Sequence, residues 1–257
     1  MNQRSLKKTL SSLPVGEIRY FESIGSTNDE ALAWAAAGAR DLSFVIADEQ
    51  TAGRGRLNRK WFTPKQTALA FSLILRPASN SLLSRTVGLA ALSIADSLLK
   101  YGLAPSIKWP NDVLLSGKKV AGILIETVWS GTEVDSLVAG MGINVHKESV
   151  PPAQYLQFPA TSIEDEMGHP PDREELLRDI LTAFIARRLQ MERANFIKSW
   201  EELLAYRGEQ VQVNASDTET RSGKLLGLES DGSLRLLGQH GETMIVHFGD
   251  VSLRPTS

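Results

Sequence analysis

The chain has 257 residues, 42% of them apolar and 23% charged, the balance of an ordinary globular protein. A formal net charge of −2 argues against a protein that coats nucleic acid, because phosphate binding demands a strong positive balance. With no cysteine, disulfides, thiolate metal sites and cysteine nucleophiles are excluded. No apolar run reaches signal-peptide or membrane-spanning length, so a cytoplasmic protein without a membrane partner is expected.

The first fifteen or so residues are polar and are expected to be loosely held. Ile18 to Phe21 reads as a short strand. A helix follows, with Thr27 as its cap, Glu30 at capping-box spacing, good helix formers from Ala31 to Ala37, and Gly38 as its end. Phe44 to Ala47 is a buried-strand candidate, residues 50–66 are a Gly-, Arg- and Lys-rich loop, and Leu69 to Leu75 is a second apolar strand. Apolar positions recur at helical spacing over 85–101. Ser106 to Trp109 forms a strand that Pro110 ends, Asn111-Asp112 turns, and Val113 to Leu115 continues. Val120–Val128 and Ser136–Val145 pair as a hairpin around residues 130–132, and 146–160 is an irregular, proline-bearing loop. Residues 172–206 are helical from an Asp172 cap, with a break near Ala194-Asn195. Beyond Arg207, short alternating runs punctuated by glycine indicate a small β-barrel. The division predicted is 1–206 and 207–257, the larger part a mixed sheet with flanking helices, hence α+β.

No G-x-S-x-G, H-E-x-x-H or P-loop pattern occurs, and the four histidines lack metal-ligand spacing, so metal ligation has no direct motif. Four features remain. In Gln50 to Trp61, Gly53 and Gly55 alternate with Arg54 and Arg56, and Arg59 and Lys60 follow. Glycine lets backbone amides approach a ligand, and arginine suits phosphate or carboxylate oxygens, so this is an anion-binding loop, a solvated basic loop or a nucleic-acid patch. Lys108-Trp109-Pro110-Asn111-Asp112 returns through Lys119 and Gly122. Lys119 enters an apolar strand, where it either stabilises a ligand carboxylate or phosphate or snorkels to solvent. Gly140-Met141-Gly142-Ile143-Asn144 is a strand interrupted by glycine, for a ligand or for packing. Ser26-Thr27-Asn28 opens a helix, as a cap or as a polar grip on a small ring.

These four segments, in this order and spacing, resemble the biotin–protein ligase family, with Ala160 to Ile163 a weaker matching segment. The resemblance implies a catalytic domain like that of class II aminoacyl-tRNA synthetases, followed by an SH3-like barrel. The implied reaction joins biotin and ATP into biotinyl-5′-AMP and then transfers biotin to a lysine of a biotin carboxyl carrier protein. It implies that Ser26, Thr27, Asn28, Gln50 and Gly122 contact biotin, with Arg54, Gly55, Arg56 and Lys119. Arg54, Arg56, Trp61, Asn111, Asp112 and Asn144 would serve the ATP or adenylate side, Arg54 and Lys119 would be catalytic, and Asp112 is a candidate for Mg²⁺. Leu57-Asn58 stands where many relatives carry a glycine closely after the second arginine, so altered loop kinetics are expected, with Asn58 tolerating left-handed backbone. Fewer than twenty residues precede the first strand, too few for the DNA-binding domain some relatives carry. The expected protein is therefore a ligase without a repressor function, monomeric or homodimeric. A lipoate or octanoate ligase, a non-catalytic binder and a nucleic-acid-binding protein are the competing readings.

Overall fold

The structure, a computed structural model, describes residues 1–76, 80–214, 220–247 and 252–255. Helix α1 (Gln3–Thr9) precedes β1 (Ile18–Phe21), α2 (Thr27–Ala36), β2 (Phe44–Ala47) and β3 (Ala68–Leu75). Then come α3 (Thr86–Lys100), β4 (Pro105–Lys108), β5 (Asp112–Leu115), β6 (Lys118–Ser130) and β7 (Glu133–Asn144). Helices α4 (Ile163–Met167), α5 (Arg173–Arg188) and α6 (Ala194–Glu202) lead to β8 (Gln210–Asn214), β9 (Thr220–Leu228), β10 (Leu234–Leu237), β11 (Thr243–Val246) and β12 (Ser252–Pro255). Among the described residues, no helix is long and apolar enough to cross a membrane.

The larger sheet runs β1-β2-β3-β7-β6-β5-β4, parallel between β1 and β2 and antiparallel elsewhere, the mixed sheet expected. Period-two alternation divides its faces. Phe44, Ile46, Leu69, Phe71, Leu73, Ala139, Met141 and Ile143 face the main core with α3 and α5. Val45, Ile74 and Val138 face the other way, packing on Ala31, Trp34 and Ala35 of α2. By the same alternation Ser72, Gly140, Gly142, Asn144, Gly122 and Glu126 share that second face. The register sets Gly140 beside Ser72 and Leu124, and Gly142 beside Gly122. A bulge where β5 meets β6 breaks the alternation near Lys119. Val120 and Ala121 are therefore both buried in the core, while Lys119 turns toward the glycine face.

The smaller sheet is antiparallel, in order β11-β10-β9-β8-β12. It is tied to the larger part by the buried Trp109 indole, which donates to the Gly232 carbonyl at 2.9 Å, and by Leu228 N donating to Glu201 at 2.6 Å. Chain 203–205 bonds both sides of Ile107 on β4, so the link between the parts is itself laid along the large sheet.

Three local expectations are corrected. The N-terminus is ordered: Asn2 and Ser5 form a capping box, Leu6 and Leu10 reach the core at helical spacing, and Ser5 and Thr9 donate to Glu174 of α5. The cap of α2 is Ser26, which accepts from Asp29 N, so Thr27 is free for other bonds and Glu30 pairs with Arg19. The short helix α4, capped by Ser162, begins at the last residue of the weakly matching segment Ala160 to Ile163 and runs on through residues for which no element was expected.

Candidate active site

The second face of the large sheet, the N-terminus of α2, the loop 50–62 and the segment 149–160 enclose a cleft of about 650 Å³. That lies within the ~300–1,000 Å³ typical of small-molecule sites. Ser26, Thr27, Asn28, Gln50, Arg54, Gly55, Arg56, Trp61, Asn111, Asp112, Lys119, Gly122 and Asn144 all line it, so folding gathers every residue expected to meet biotin or ATP, while Gly53 and Ile143 of the same segments lie outside the lining.

At the α2 end the polar atoms form one chain. Gln50 Oε1 accepts from Thr27 N at 2.8 Å and lies 3.0 Å from Thr27 Oγ1, while its amide nitrogen donates to Thr63 at 3.2 Å. Thr27 Oγ1 lies 2.7 Å from Ser72 Oγ, which lies 2.6 Å from Asn28 Oδ1. The Asn28 amide nitrogen donates to Glu126 at 2.7 Å. Arg54 clamps both oxygens of Glu126 at 3.2 Å and also donates to Asp29. Burial alone would lower the Arg54 pKa; its bonds to Asp29 and Glu126 outweigh burial and raise it.

The opposite end is built from the β4–β5 turn and the start of β6. Lys119 Nζ lies 2.6 Å from Asp112, whose other oxygen is 3.9 Å from Lys108. The Lys119 ammonium stands 5.5 Å from the Trp61 ring, and Lys108 lies 4.8 Å from the Phe158 ring. Lys119 is thus not a snorkelling surface residue: it is half-buried, against its own carboxylate. Arg56 donates to Asn111 at 3.3 Å, and the Asn111 amide donates to the Ile123 carbonyl at 2.9 Å. Asn144 donates to the Thr161 carbonyl at 3.0 Å.

The glycines answer to side chains of the site itself. A Cβ on Gly140 would overlap the Asn28 amide, and one on Gly142 would overlap the Trp61 indole. One on Gly122 would stand 3.1 Å from Lys119 Nζ. Trp61 lies across this glycine floor with its indole nitrogen buried and unpartnered. In the loop, the left-handed residue is Leu57 (φ 57°), not Asn58, so the strained position carries a branched apolar side chain.

Sequence reasoning missed Ser72, Asp29 and Glu126. Ser72 was findable: it is the lone hydroxyl in the otherwise apolar run Ala68 to Leu75. The histidine spacing also hid a cluster. Possible ligand atoms of His146, Glu148 and Glu164 lie within 4.8 Å of one another, although Glu164 is engaged by Lys147 N and by His146.

Such a cleft, walled by cations at both ends around an apolar floor, defines a small-molecule enzyme site for an anionic substrate with a polar ring. A profile of the Biotin/lipoate A/B protein ligase family matches residues 20–144. The chain is 37% identical over 230 residues to the biotin–[acetyl-CoA-carboxylase] ligase of Paracoccus denitrificans, spanning 86% of this chain and 94% of that one. It is 32% identical to the Mycobacterium tuberculosis enzyme of the same name, spanning 98% and 95%. The biotin protein ligase from Aquifex aeolicus, solved with biotin and ATP, superposes with a TM-score of 0.79 at 29% identity, covering 93% of this chain and 99% of that one. The chain belongs to the biotin protein ligase family.

Proposed function

We propose that this protein is a ligase that joins biotin to ATP as biotinyl-5′-AMP and transfers biotin to a lysine of a biotin carboxyl carrier protein. The observation that carries this reading is the cleft's division of labour. A hydrogen-bonding end at Thr27, Asn28 and Gln50 suits a ureido ring, and a cationic end at Arg56, Lys108 and Lys119 suits carboxylate and phosphate oxygens.

The chemistry follows from charge. Biotin's carboxylate attacks the α-phosphorus of ATP, and pyrophosphate leaves. Both reactants are anions, so Lys119 and Arg56 offset their repulsion and the charge that develops. The mixed anhydride hydrolyses if water reaches it; Trp61 and the loop carrying Arg54 to Arg56 cover it. The acceptor lysine then attacks the acyl carbon and AMP leaves, with no protein nucleophile required.

Asp112 is the candidate Mg²⁺ ligand: its Oδ1 is buried with no hydrogen-bond partner, and the Lys119 and Lys108 ammonium groups, at 2.6 and 3.9 Å from its two oxygens, compete with a cation there. Mg²⁺ would enter this reading with the ATP substrate, where it would offset phosphate charge. The smaller sheet is read as an SH3-like barrel of residues 207–257. Its five short antiparallel strands and the bulge at Arg235/Leu236 support that reading.

Pyrophosphate exchange into ATP, without acceptor, is the test. Exchange that depends on biotin and not on lipoate is expected. Exchange with lipoate alone would establish a lipoate ligase, and none with either acid in folded protein would leave a non-catalytic binder.

A further inference from the structure

The polar chain at the α2 end is short of protons. Its two ends are acceptors: Gln50 Oε1, fixed because it accepts from Thr27 N while its nitrogen donates to Thr63, and Asn28 Oδ1. Between them stand the Thr27 and Ser72 hydroxyls, making three oxygen–oxygen contacts of 3.0, 2.7 and 2.6 Å. Each contact needs one proton, and two hydroxyls supply two. A flip of the Asn28 amide would cure the deficit by turning its NH₂ toward Ser72. Glu126 forbids the flip, because its carboxylate is an acceptor only and takes the Asn28 NH₂ at 2.7 Å, the shorter of that group's two bonds; the other runs to the Leu124 carbonyl at 3.4 Å. Arg54 holds both Glu126 oxygens in place.

We infer that Glu126 is the specificity-positioning residue of this pocket: by fixing the Asn28 amide it leaves the chain one proton short, so the cleft selects a ligand ring that presents an N–H. When such a ligand enters, Ser72 donates to Asn28, Thr27 donates to Ser72, and the ligand N–H supplies the missing proton at Thr27 Oγ1 or Gln50 Oε1. Both Thr27 and Gln50 line the cleft, whereas Ser72 is wholly buried. The inference rests on the biotin reading for the identity of the ring, whose urea carries two N–H groups; a dithiolane ring carries none. Glu126 itself touches no substrate in this account.

The test compares Glu126→Ala and Glu126→Gln with the unaltered protein, measuring the biotin Kd by calorimetry and the KM for ATP in pyrophosphate exchange. In Glu126→Ala only the long 3.4 Å bond to the Leu124 carbonyl still holds the Asn28 NH₂, so the amide turns and satisfies the chain. The biotin Kd should rise ~10-fold or more, the scale of one charge-assisted hydrogen bond, with the ATP KM within ~2-fold. Glutamine still offers Asn28 an oxygen, so Glu126→Gln should recover biotin binding to within ~3-fold. A Glu126→Ala variant with an unchanged biotin Kd overturns the inference, as does a Glu126→Gln variant as weak as the alanine. A parallel rise in both biotin and ATP constants, marking general damage, also overturns it. If Glu126→Ala does not fold, Glu126→Leu, which refills the volume without an acceptor, carries the same comparison. Failure of the unaltered protein to bind biotin would instead remove the functional reading beneath it.

Discussion

Lys119 and Asp112 show at the scale of single residues how the site balances charge. The ammonium is held 2.6 Å from its carboxylate over a glycine floor, ready to meet an incoming anion. Lys119→Ala should lower exchange by ~10² or more, the cost of a lost charge-stabilising donor; turnover within ~3-fold of normal would remove it from the mechanism. Gly142 is a sharper probe. A methyl group there overlaps the Trp61 indole, so Gly142→Ala should displace the ring at ~1–3 kcal/mol, about tenfold in exchange. Unchanged exchange would mean that the ring's position over the floor does not matter. The lining of the cleft was legible in the sequence because glycine, lysine and arginine stand out against apolar strands. The assignment of each polar atom was not. The Asn28 amide faces Ser72 with its oxygen and donates from its nitrogen to Glu126 and, at 3.4 Å, to the Leu124 carbonyl, and a one-dimensional pattern does not state which hydroxyl faces which acceptor.

Elements were read well where periodicity was strong and poorly where a few long-range contacts decide. β2, β3, α3, the β6–β7 hairpin and α5 all follow from apolar spacing and end signals. Helix α1 does not. Seven residues are marginal alone, and its order comes from Leu6 and Leu10 in the core and from two hydroxyls on Glu174 of α5. The Lys119 bulge was likewise invisible, since a strand's pattern does not reveal where its partner slips by one residue. A second tie between elements has a pH signature. Tyr20 of β1 donates to the buried Asp48 at 2.9 Å, and Asp48 is also held by Arg173 of α5. Burial, and then the bond to Asp48, push the Tyr20 phenol up to about 12. A raised folded-state pKa favours the neutral phenol, so this contribution is complete below pH ~10 and is lost as pH rises from ~10 to ~12. Stability curves should therefore fall across that window in the unaltered protein and fall less in Tyr20→Phe. Identical slopes would show that Tyr20 does not titrate as described.

Over the whole molecule, the two sheets meet at the motif that shapes the cationic end of the cleft. Trp109, fully buried, is flanked by Lys108 and by the turn carrying Asn111 and Asp112, and its indole donates across to Gly232. The Gly232 turn is in turn set by Asp231, which accepts from the backbone and hydroxyl of Ser233 at 2.8 Å. Trp109→Phe leaves that buried carbonyl unpaired and should cost ~1–3 kcal/mol in denaturant unfolding. An unchanged midpoint would mean that the contact contributes nothing. The change of texture near residue 206 was evident in the sequence. The contact was not, because the tryptophan and the glycine it reaches are separated by more than a hundred positions.

The pairing of Lys119 and Lys108 with Asp112 has a consequence for turnover. The cleft does not wait as a bare positive charge surrounded by dissolved salt. These two ammonium groups already face a tethered anion, so an arriving carboxylate or phosphate exchanges places with a side chain that stays within reach. Few mobile ions are released, and affinity for substrate should depend only weakly on ionic strength. When pyrophosphate or AMP has to depart, the displaced side chain is a competitor at very high local concentration, and it expels the product by reclaiming its old partner.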